Sequence, residues 1–169
     1  MTDFLNDLGQ RRIYWTGLIV LGLVLEAAAL YYQYVLDEWP CVLCIHIRIW
    51  ILGFILIGVV GLFCVYSIVV LRLLHGLSMI TMLGMLERSY AVLAVERGWT
   101  FGDCDMELGM PAWFALDKWF PAIFEVQTSC GYTPIIFFNI TMAEILLVVS
   151  ALLVIMTTAL FCASWLNRT

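Results

Sequence analysis

The sequence has little charge. Asp, Glu, Lys and Arg make up only 12% of the 169 residues, whereas hydrophobic residues make up 64%. A soluble domain has about half apolar residues and about a quarter charged ones, so this composition argues against a soluble fold. The net charge of −5 also argues against nucleic acid as a partner.

The chain lacks internal repeats, low-complexity tracts and flexible linkers, and we expect one domain over residues 1–169. It has instead four long apolar runs. A bilayer core needs about 20 apolar residues per helix, so four helices would take roughly half of this chain. The sequence therefore predicts an all-α membrane protein, a four-transmembrane-helix bundle with one short and one long extracytoplasmic loop.

The apolar runs also predict where the helices lie. The helices are expected at about residues 13–35, 44–71, 77–95 and 135–161, with loops at about 36–43 and 96–134. Arg72, His75 and Gly76 predict a tight turn between the second and third helices. The first run, from Ile13 to Leu36, is too long for a typical signal-peptide core, and we expect it to be retained.

Arginines near the helix ends predict the orientation. Four of them fall at one end of the predicted bundle: Arg11, Arg12, Arg72 and Arg168. Cytoplasmic flanks are enriched in Lys and Arg, so this end and both termini are expected to be cytoplasmic. Both loops would then face outward, which in a bacterium is an oxidising space.

Four of the six cysteines fall on that outward side. Cys41 and Cys44 form a C-V-L-C pair at the start of the second helix, and Cys104 and Cys130 lie in the long loop. Two thiol pairs on the same side of the membrane indicate electron transfer from one pair to the other, and they favour this role over that of purely structural disulfides. From the residues alone, however, Cys104 and Cys130 could form either a structural bridge or a second redox pair that exchanges with the first.

The Cys41/Cys44 spacing has a physical rationale. Positions i and i+3 share a helix face, so the two sulfurs can meet. The positive end of the helix dipole favours a thiolate in the first turn, whereas a structural bridge across so small a loop stabilises little. Arg48, one turn after Cys44, would favour its thiolate and could pair with an oxygen of an electron acceptor. The alternative for Arg48 is a side chain that snorkels to the interface.

Other residues are given simpler interpretations. A zinc site is disfavoured by the wide spacing of Cys104 and Cys130 and by the oxidising compartment, and no metal is expected. Cys64 and Cys162 are expected to be buried small hydrophobes. His46 is expected to face outward at the interface.

Two ionisable residues fall in the middle of apolar runs, where charges are costly and usually paired. Glu26 and Arg88 each lie 13 residues from the expected inner start of their helix, and therefore at similar depth. We hypothesise that they pair, or share a polar cluster with Glu87. The alternative is that Arg88 reaches the outer interface.

The chain resembles the disulfide bond formation protein B (DsbB) family over nearly its whole length. The matching residues are Glu26, Pro40-Cys41-Val42-Leu43-Cys44-Ile45, Arg48, Cys104-Asp105, Leu116-Asp117-Lys118-Trp119 and Cys130. This resemblance implies a quinone-dependent thiol oxidase of the bacterial inner membrane. Its partner would be a periplasmic thiol oxidoreductase of the DsbA type, and its cofactor ubiquinone or menaquinone from the membrane pool.

The resemblance also implies roles for the cysteines. The partner's thiolate would attack a Cys104–Cys130 bridge and form a mixed disulfide at Cys104. Cys130 would then exchange with Cys41, and Cys44 would pass electrons to a quinone that lies beside Arg48. Two alternatives stay open: a non-catalytic membrane scaffold stiffened by two disulfides, and a relative dedicated to another partner. Arg48 beneath Cys44 separates the first alternative from the enzyme, since a scaffold has no need of it.

Overall fold

Four long helices dominate the structure, a computed structural model that describes residues 7–100 and 107–166. They are α1 (Arg12–Val35), α2 (Val42–Phe63), α3 (Ile68–Glu96) and α6 (Met142–Leu166). Each is long and apolar enough to cross a membrane, with mean hydropathy between 1.8 and 2.7. The predicted four-helix membrane fold is therefore confirmed.

The helices pack in chain order: α1 against α2, α2 against α3, and α3 against α6. Glycines let two of these pairs approach closely, as small residues do in membrane bundles. A Cβ atom on Gly61 would lie 2.2 Å from the Trp15 ring, and one on Gly84 would lie 2.5 Å from the Trp50 ring. Among the described residues no comparable packing joins α1 to α6, so a seam is left between these two helices.

The turn between α2 and α3 lies earlier than the sequence predicts. It spans residues 64–67, and Arg72, His75 and Gly76 belong to α3. The predicted end of the second helix at residue 71 is therefore wrong. Hydropathy is continuous across this region and therefore does not mark the break. Within α3, the Arg72 Nε donates to the Ser164 carbonyl at 2.8 Å, and His75 is buried.

The arginines that we expected at one end of the bundle do lie together. The Arg12 Nη2 donates to the Tyr66 hydroxyl at 2.8 Å, and Arg72 reaches the last turns of α6. We call this the arginine end, and the opposite end, where Cys41 begins α2, the cysteine end. Arg168 lies outside the described residues.

Several short elements cap the cysteine end. They are a 3₁₀ turn (Ala112–Phe114), α4 (Leu116–Trp119), α5 (Pro121–Phe124), β1 (Ile135–Phe137) and β2 (Ile140–Thr141). The two strands pair antiparallel as a hairpin, with Phe138 and Asn139 at positive φ in its turn. The fourth long helix therefore begins at Met142, not at residue 135. Thr141 and Glu144 hydrogen-bond each other's backbone N–H at its start, a capping box that hydropathy does not reveal.

The hypothesised pair of Glu26 and Arg88 is wrong. Glu26 is buried on the face of α1 that meets α2, whereas the Arg88 Nε forms an ion pair with the neighbouring Glu87 at 2.9 Å, with its side chain 39% exposed. Depth can be counted from sequence, but the direction of a side chain around its helix cannot. Here α2 packs against both α1 and α3 and separates the two residues.

The two cysteines outside the outward loops are less enclosed than expected. Cys64 is half-buried in the α2–α3 turn, and Cys162 is exposed on α6. The expectation that both are buried is therefore wrong. A residue in an apolar run can face either lipid or the protein interior. The sequence does not distinguish these two cases, and only the second buries the residue within the protein.

Candidate redox site

Cys41 and Cys44 begin α2, and their sulfurs meet. Cys41 is the N-cap residue, and its Sγ accepts a hydrogen bond from the Cys44 backbone N–H at 3.4 Å. The two Sγ atoms lie 2.7 Å apart as free thiols. Cys41 is buried, while Cys44 is half-buried. This is the contact that the i, i+3 spacing predicts.

The long loop brings Cys130 to the same place. The Gln127 backbone N–H donates to the Pro40 carbonyl at 3.0 Å, and Thr128 pairs with Cys41 in a parallel β-bridge. This pairing runs the loop alongside the start of α2, and the Cys130 side chain hydrogen-bonds Cys41. Three of the four predicted cysteines therefore form one cluster, and the fourth, Cys104, lies outside the described residues.

The cluster affects the acidity of Cys41. The hydrogen bond from Cys130 lowers the pKa of the Cys41 thiol, but the hydrogen bond with Cys44 and burial together raise it more. The net effect is a pKa raised to about 12. Reduced Cys41 therefore keeps its proton at neutral pH and is a poor leaving group in thiol exchange, since leaving groups of lower pKa depart faster.

Arg48 is buried one turn below Cys44, with 5% of its surface exposed. Its Nη1 donates to Gln33 Oε1 at 2.6 Å and to the Ile123 carbonyl at 3.0 Å, and its Nη2 donates to the Ala29 carbonyl at 3.0 Å. The snorkelling alternative is therefore wrong. A guanidinium has five N–H donors, so among the described contacts the Nε–H and one Nη2–H remain available to a ligand.

Two cavities meet at Cys44. The outer cavity has a volume of about 320 Å³. It is lined by polar and apolar residues of the two loops and of the adjoining ends of α1, α2 and α6: Tyr32, Glu38, Trp39, Pro40, Cys41, Cys44, Gln127, Thr128, Ser129, Tyr132, Thr133, Pro134 and Met142. The seam cavity has a volume of about 150 Å³ and an almost wholly apolar wall: Leu25, Ala28, Ala29, Tyr32, Cys44, Ile47, Arg48, Ile51, Ile136, Met142, Ile145 and Leu146.

The position of the seam cavity follows from the helix packing. Its walls come from α1, α2 and α6 and from Ile136 of β1, and it occupies the seam where α1 and α6 do not pack closely. Cys44 and Arg48 both border it, and Cys44 also borders the outer cavity. The Cys44 thiol thus lies between the outer cavity, which Cys41 also lines, and the apolar seam cavity, which has the Arg48 guanidinium in its wall.

Gln33 belongs to this site, although the sequence did not single it out. Its Oε1 accepts from Arg48, and its Nε2 donates to the Ala122 carbonyl of α5 at 3.3 Å. The Tyr34 hydroxyl donates to the same carbonyl. A signal was present, because Glu26, Ala29 and Gln33 recur at helical spacing on one face of α1. A single glutamine near a helix end, however, does not reveal its partner.

His46 holds a second part of the long loop. Its Nε2 lies 3.1 Å from the Leu108 carbonyl, and the ring is half-buried. That it faces outward at the interface stays a prediction, and in the structure its ring lies against the long loop. This contact holds Leu108, in the described segment that begins at residue 107, against the first turns of α2.

Known proteins resemble this chain over most of its length. The family model "Disulfide bond formation protein DsbB" matches residues 11–160. Disulfide bond formation protein B 2 of Pseudomonas aeruginosa is 34% identical over 128 residues, which cover 72% of this chain and 73% of the relative. The disulfide bond formation protein B of Histophilus somni is 32% identical over 156 residues, which cover 89% and 86%. That of Photorhabdus laumondii is 28% identical over 173 residues, which cover 99% of both chains.

Proposed function

The chain belongs to the DsbB family of disulfide bond formation proteins, and from this premise we propose that it is a thiol:quinone oxidoreductase of the bacterial inner membrane. Family membership supports disulfide bond formation in the membrane. The finer proposal is that the protein reoxidises a periplasmic DsbA-type thiol oxidoreductase and delivers the electrons to ubiquinone or menaquinone. The catalytic residues would be Cys41, Cys44, Cys104 and Cys130, with Arg48 and Cys44 at the quinone.

One observation carries this proposal: Cys44 borders both cavities. On one side lies the outer cavity with Cys41, beside which Cys130 is held. On the other side lies the apolar seam cavity with Arg48 in its wall. Electrons that arrive through thiol exchange at Cys41 can therefore leave through its neighbour toward a lipid-soluble acceptor, without a large movement of either group.

The first exchange involves the loop cysteines. The partner's dithiol gives up two electrons and two protons as its own disulfide forms. A mixed disulfide at Cys104 is the intermediate, and the Cys104–Cys130 bridge is reduced to two thiols. The contact between Leu108 and His46 supports this role, because it holds Leu108, four residues after Cys104 in the sequence, against the first turns of the helix that Cys41 and Cys44 begin.

The second exchange involves the helix cysteines. The Cys130 thiolate attacks the Cys41 sulfur of a Cys41–Cys44 bridge, so a Cys41–Cys130 bond forms and Cys44 leaves as a thiolate. The high pKa of Cys41 favours this direction, since attack at Cys44 would expel the poorer leaving group. Attack of the Cys104 thiolate on Cys130 then breaks the Cys41–Cys130 bond and restores the loop bridge. Cys41 is the leaving group of this step and takes up a proton, in keeping with its raised pKa, so that Cys41 and Cys44 are both reduced.

The residues around the seam cavity fit a quinone. The wall is apolar, as a hydrophobic ring and tail require, and Arg48 has N–H donors left for a carbonyl oxygen. A quinone bound there would accept the two electrons and two protons of the reduced cysteine pair. The DsbA-type partner has a reduction potential of about −120 mV, so an ordinary protein disulfide could not oxidise it, and the acceptor must supply the driving force.

The test is a redox cycle with the purified full-length protein, a quinone and a reduced DsbA-type partner. We expect the partner's disulfide to form at a rate that depends on quinone, and Cys44→Ser to abolish this turnover. Cys64→Ser is the matched control, because Cys64 lies in the α2–α3 turn away from the cluster, and it should turn over normally. Full turnover by Cys44→Ser would refute the enzyme and favour the scaffold.

The proposed orientation places both termini in the cytoplasm and the cysteine end in the periplasm. The arginines gathered at the opposite end support it. A partner other than a DsbA-type protein would be recognised by the mixed disulfide that accumulates on Cys104 in a Cys130→Ser variant. Labelling of Cys41 or Cys44 from the cytoplasmic side would contradict the proposed electron route.

A further inference from the structure

The hairpin of residues 135–141 carries an exposed apolar surface that the reaction does not use. Ile135 is 59% exposed and Phe138 is 85% exposed, and Ile140 is also exposed. No charged residue occurs between Gly131 and Ala143. The earlier part of the loop differs, because charged residues recur through it, at Glu107, Asp117, Lys118 and Glu125. An apolar patch of this kind marks an interaction surface.

This surface is continuous with the lipid-facing side of α6. β2 ends at Thr141 and α6 begins at Met142, with no linker between them. Farther along α6, Val148, Leu152 and Ile155 are all exposed, as expected for residues that face acyl chains in a spanning helix. The hairpin therefore stands at the cysteine end of α6, a helix whose exposed apolar side chains are expected to face lipid.

The hairpin is held in a fixed position. The Thr133 hydroxyl donates to the Glu96 carboxylate, and Arg97 forms an ion pair with Glu144. These two contacts tie the segments before and after the hairpin to the end of α3. The Met142 backbone N–H also donates to the Pro134 carbonyl at 2.9 Å, which closes the base of the hairpin.

One face of the hairpin contributes to the redox site. Ile136 is 37% exposed and lines the seam cavity together with Met142 and Ile145, opposite Leu25 and Ala29 of α1. Its neighbour Ile135 is 59% exposed and is absent from the lining of that cavity. β1 is irregular at this point, with a bulge between Ile135 and Phe137, and of the two isoleucines only Ile136 borders the cavity.

We propose that residues 135–141 form a lipid-binding hairpin that inserts at the headgroup–acyl boundary of the outer leaflet and forms the lipid-facing lip of the seam cavity. The occupant of the exposed surface is the bilayer, because the surface is uncharged and continues the lipid-facing side of α6. The role of Ile136 as a lip for the quinone rests on the proposed function. The insertion of the hairpin into lipid does not.

Insertion is tested by photo-crosslinking in nanodiscs of phosphatidylcholine and phosphatidylglycerol. The photoreactive residue p-benzoyl-phenylalanine replaces Phe138 in the full-length protein, and in the control it replaces the exposed Glu125. We expect mass spectrometry to find lipid adducts on the first protein and few on the second. Equal adducts at both positions, or capture of an added partner protein by position 138 in place of lipid, would overturn the proposal.

The lip is tested with two adjacent isoleucines. Ile136→Ala removes apolar contacts from the seam cavity and should raise the KM for quinone about tenfold, as loss of apolar contacts in a pocket does. Ile135→Ala removes the same atoms from the other face and should leave that KM within about twofold. Equal effects of the two variants would refute the lip. Absence of quinone-dependent turnover in the wild-type protein would instead refute the proposed function, and would leave the lipid adducts unaffected.

Discussion

Arg48 at the cysteine end is buried beside a cavity, whereas His75 at the arginine end is buried against packed rings. Arg48 makes three hydrogen bonds and keeps two N–H donors for a ligand in the seam cavity. His75 is 3% exposed and stacks on Trp15 at a centroid distance of 5.1 Å, with Tyr14 at 5.7 Å. Both are costly groups to bury, but only the first is surrounded by space and by reactive neighbours.

The difference shows how burial alone misleads in a membrane protein. A polar side chain in an apolar helix is usually functional, and by that rule Arg48 and His75 are equal candidates. Unused donors and adjoining cavities separate them. The unused N–H donors of Arg48 and the cavities beside it lie next to three thiols. At the arginine end, aromatic rings fill the space around the His75 imidazole.

The largest expected effect in this comparison belongs to Arg48→Met. The variant removes a buried cation and leaves Gln33 Oε1 and two carbonyls without their donor, and breaking a buried network of this kind costs roughly 3–5 kcal/mol. We expect quinone-dependent turnover to fall about a hundredfold or more, while exchange between the partner and the loop cysteines persists in a single turnover without quinone.

The control for that variant is Arg88→Met. Arg88 also lies in a long helix, but its side chain is partly exposed and pairs only with Glu87 in the described structure. Steady-state turnover should change less than about twofold, since exposed pairs contribute at most about 1 kcal/mol. Equal losses in the two variants would mean that Arg48 has no special relation to the acceptor.

A smaller effect is expected for Gln33→Leu. Gln33 positions Arg48 and joins it to α5, so its removal should raise the KM for quinone about tenfold, in keeping with roughly 1–3 kcal/mol for an unsatisfied buried partner. Tyr34→Phe is the matched control, because Tyr34 binds the same Ala122 carbonyl but not Arg48. If Tyr34→Phe raises the KM for quinone as much as Gln33→Leu does, the effect comes from the shared contact with α5 and not from the positioning of Arg48.

The smallest effect is expected at the arginine end. His75→Phe keeps a ring against Trp15, but it removes the hydrogen bond between the imidazole and the Gly9 backbone, together with a buried Nδ1 that has no hydrogen-bond partner among the described residues. Turnover should stay within about twofold, and the free energy of unfolding should change by only about 1 kcal/mol. Trp15→Ala at the same cluster should destabilise the protein by about 3–5 kcal/mol. A large loss of turnover in His75→Phe at unchanged stability would contradict the comparison.

The residues of the site were partly predictable. The Cys41/Cys44 contact follows from spacing on a helix, and Arg48 follows from the same face one turn later. Gln33 and the contact between Cys130 and Cys41 do not, because each depends on how the long loop folds back onto α1 and α2. The Glu26–Arg88 hypothesis failed for a related reason, since sequence reports depth in the bilayer and not the direction that a side chain faces.

By itself the sequence determined that this protein is a four-helix membrane bundle, with a C-x-x-C pair at a helix start and a cation one turn below it. These features follow from hydropathy and from helical periodicity, which are local. Only the tertiary structure decided where α2 ends, that residues 135–141 form a hairpin, and that Cys44 lies between two cavities. Those outcomes depend on which helices pack and which leave a seam, and packing joins residues that lie far apart in the chain.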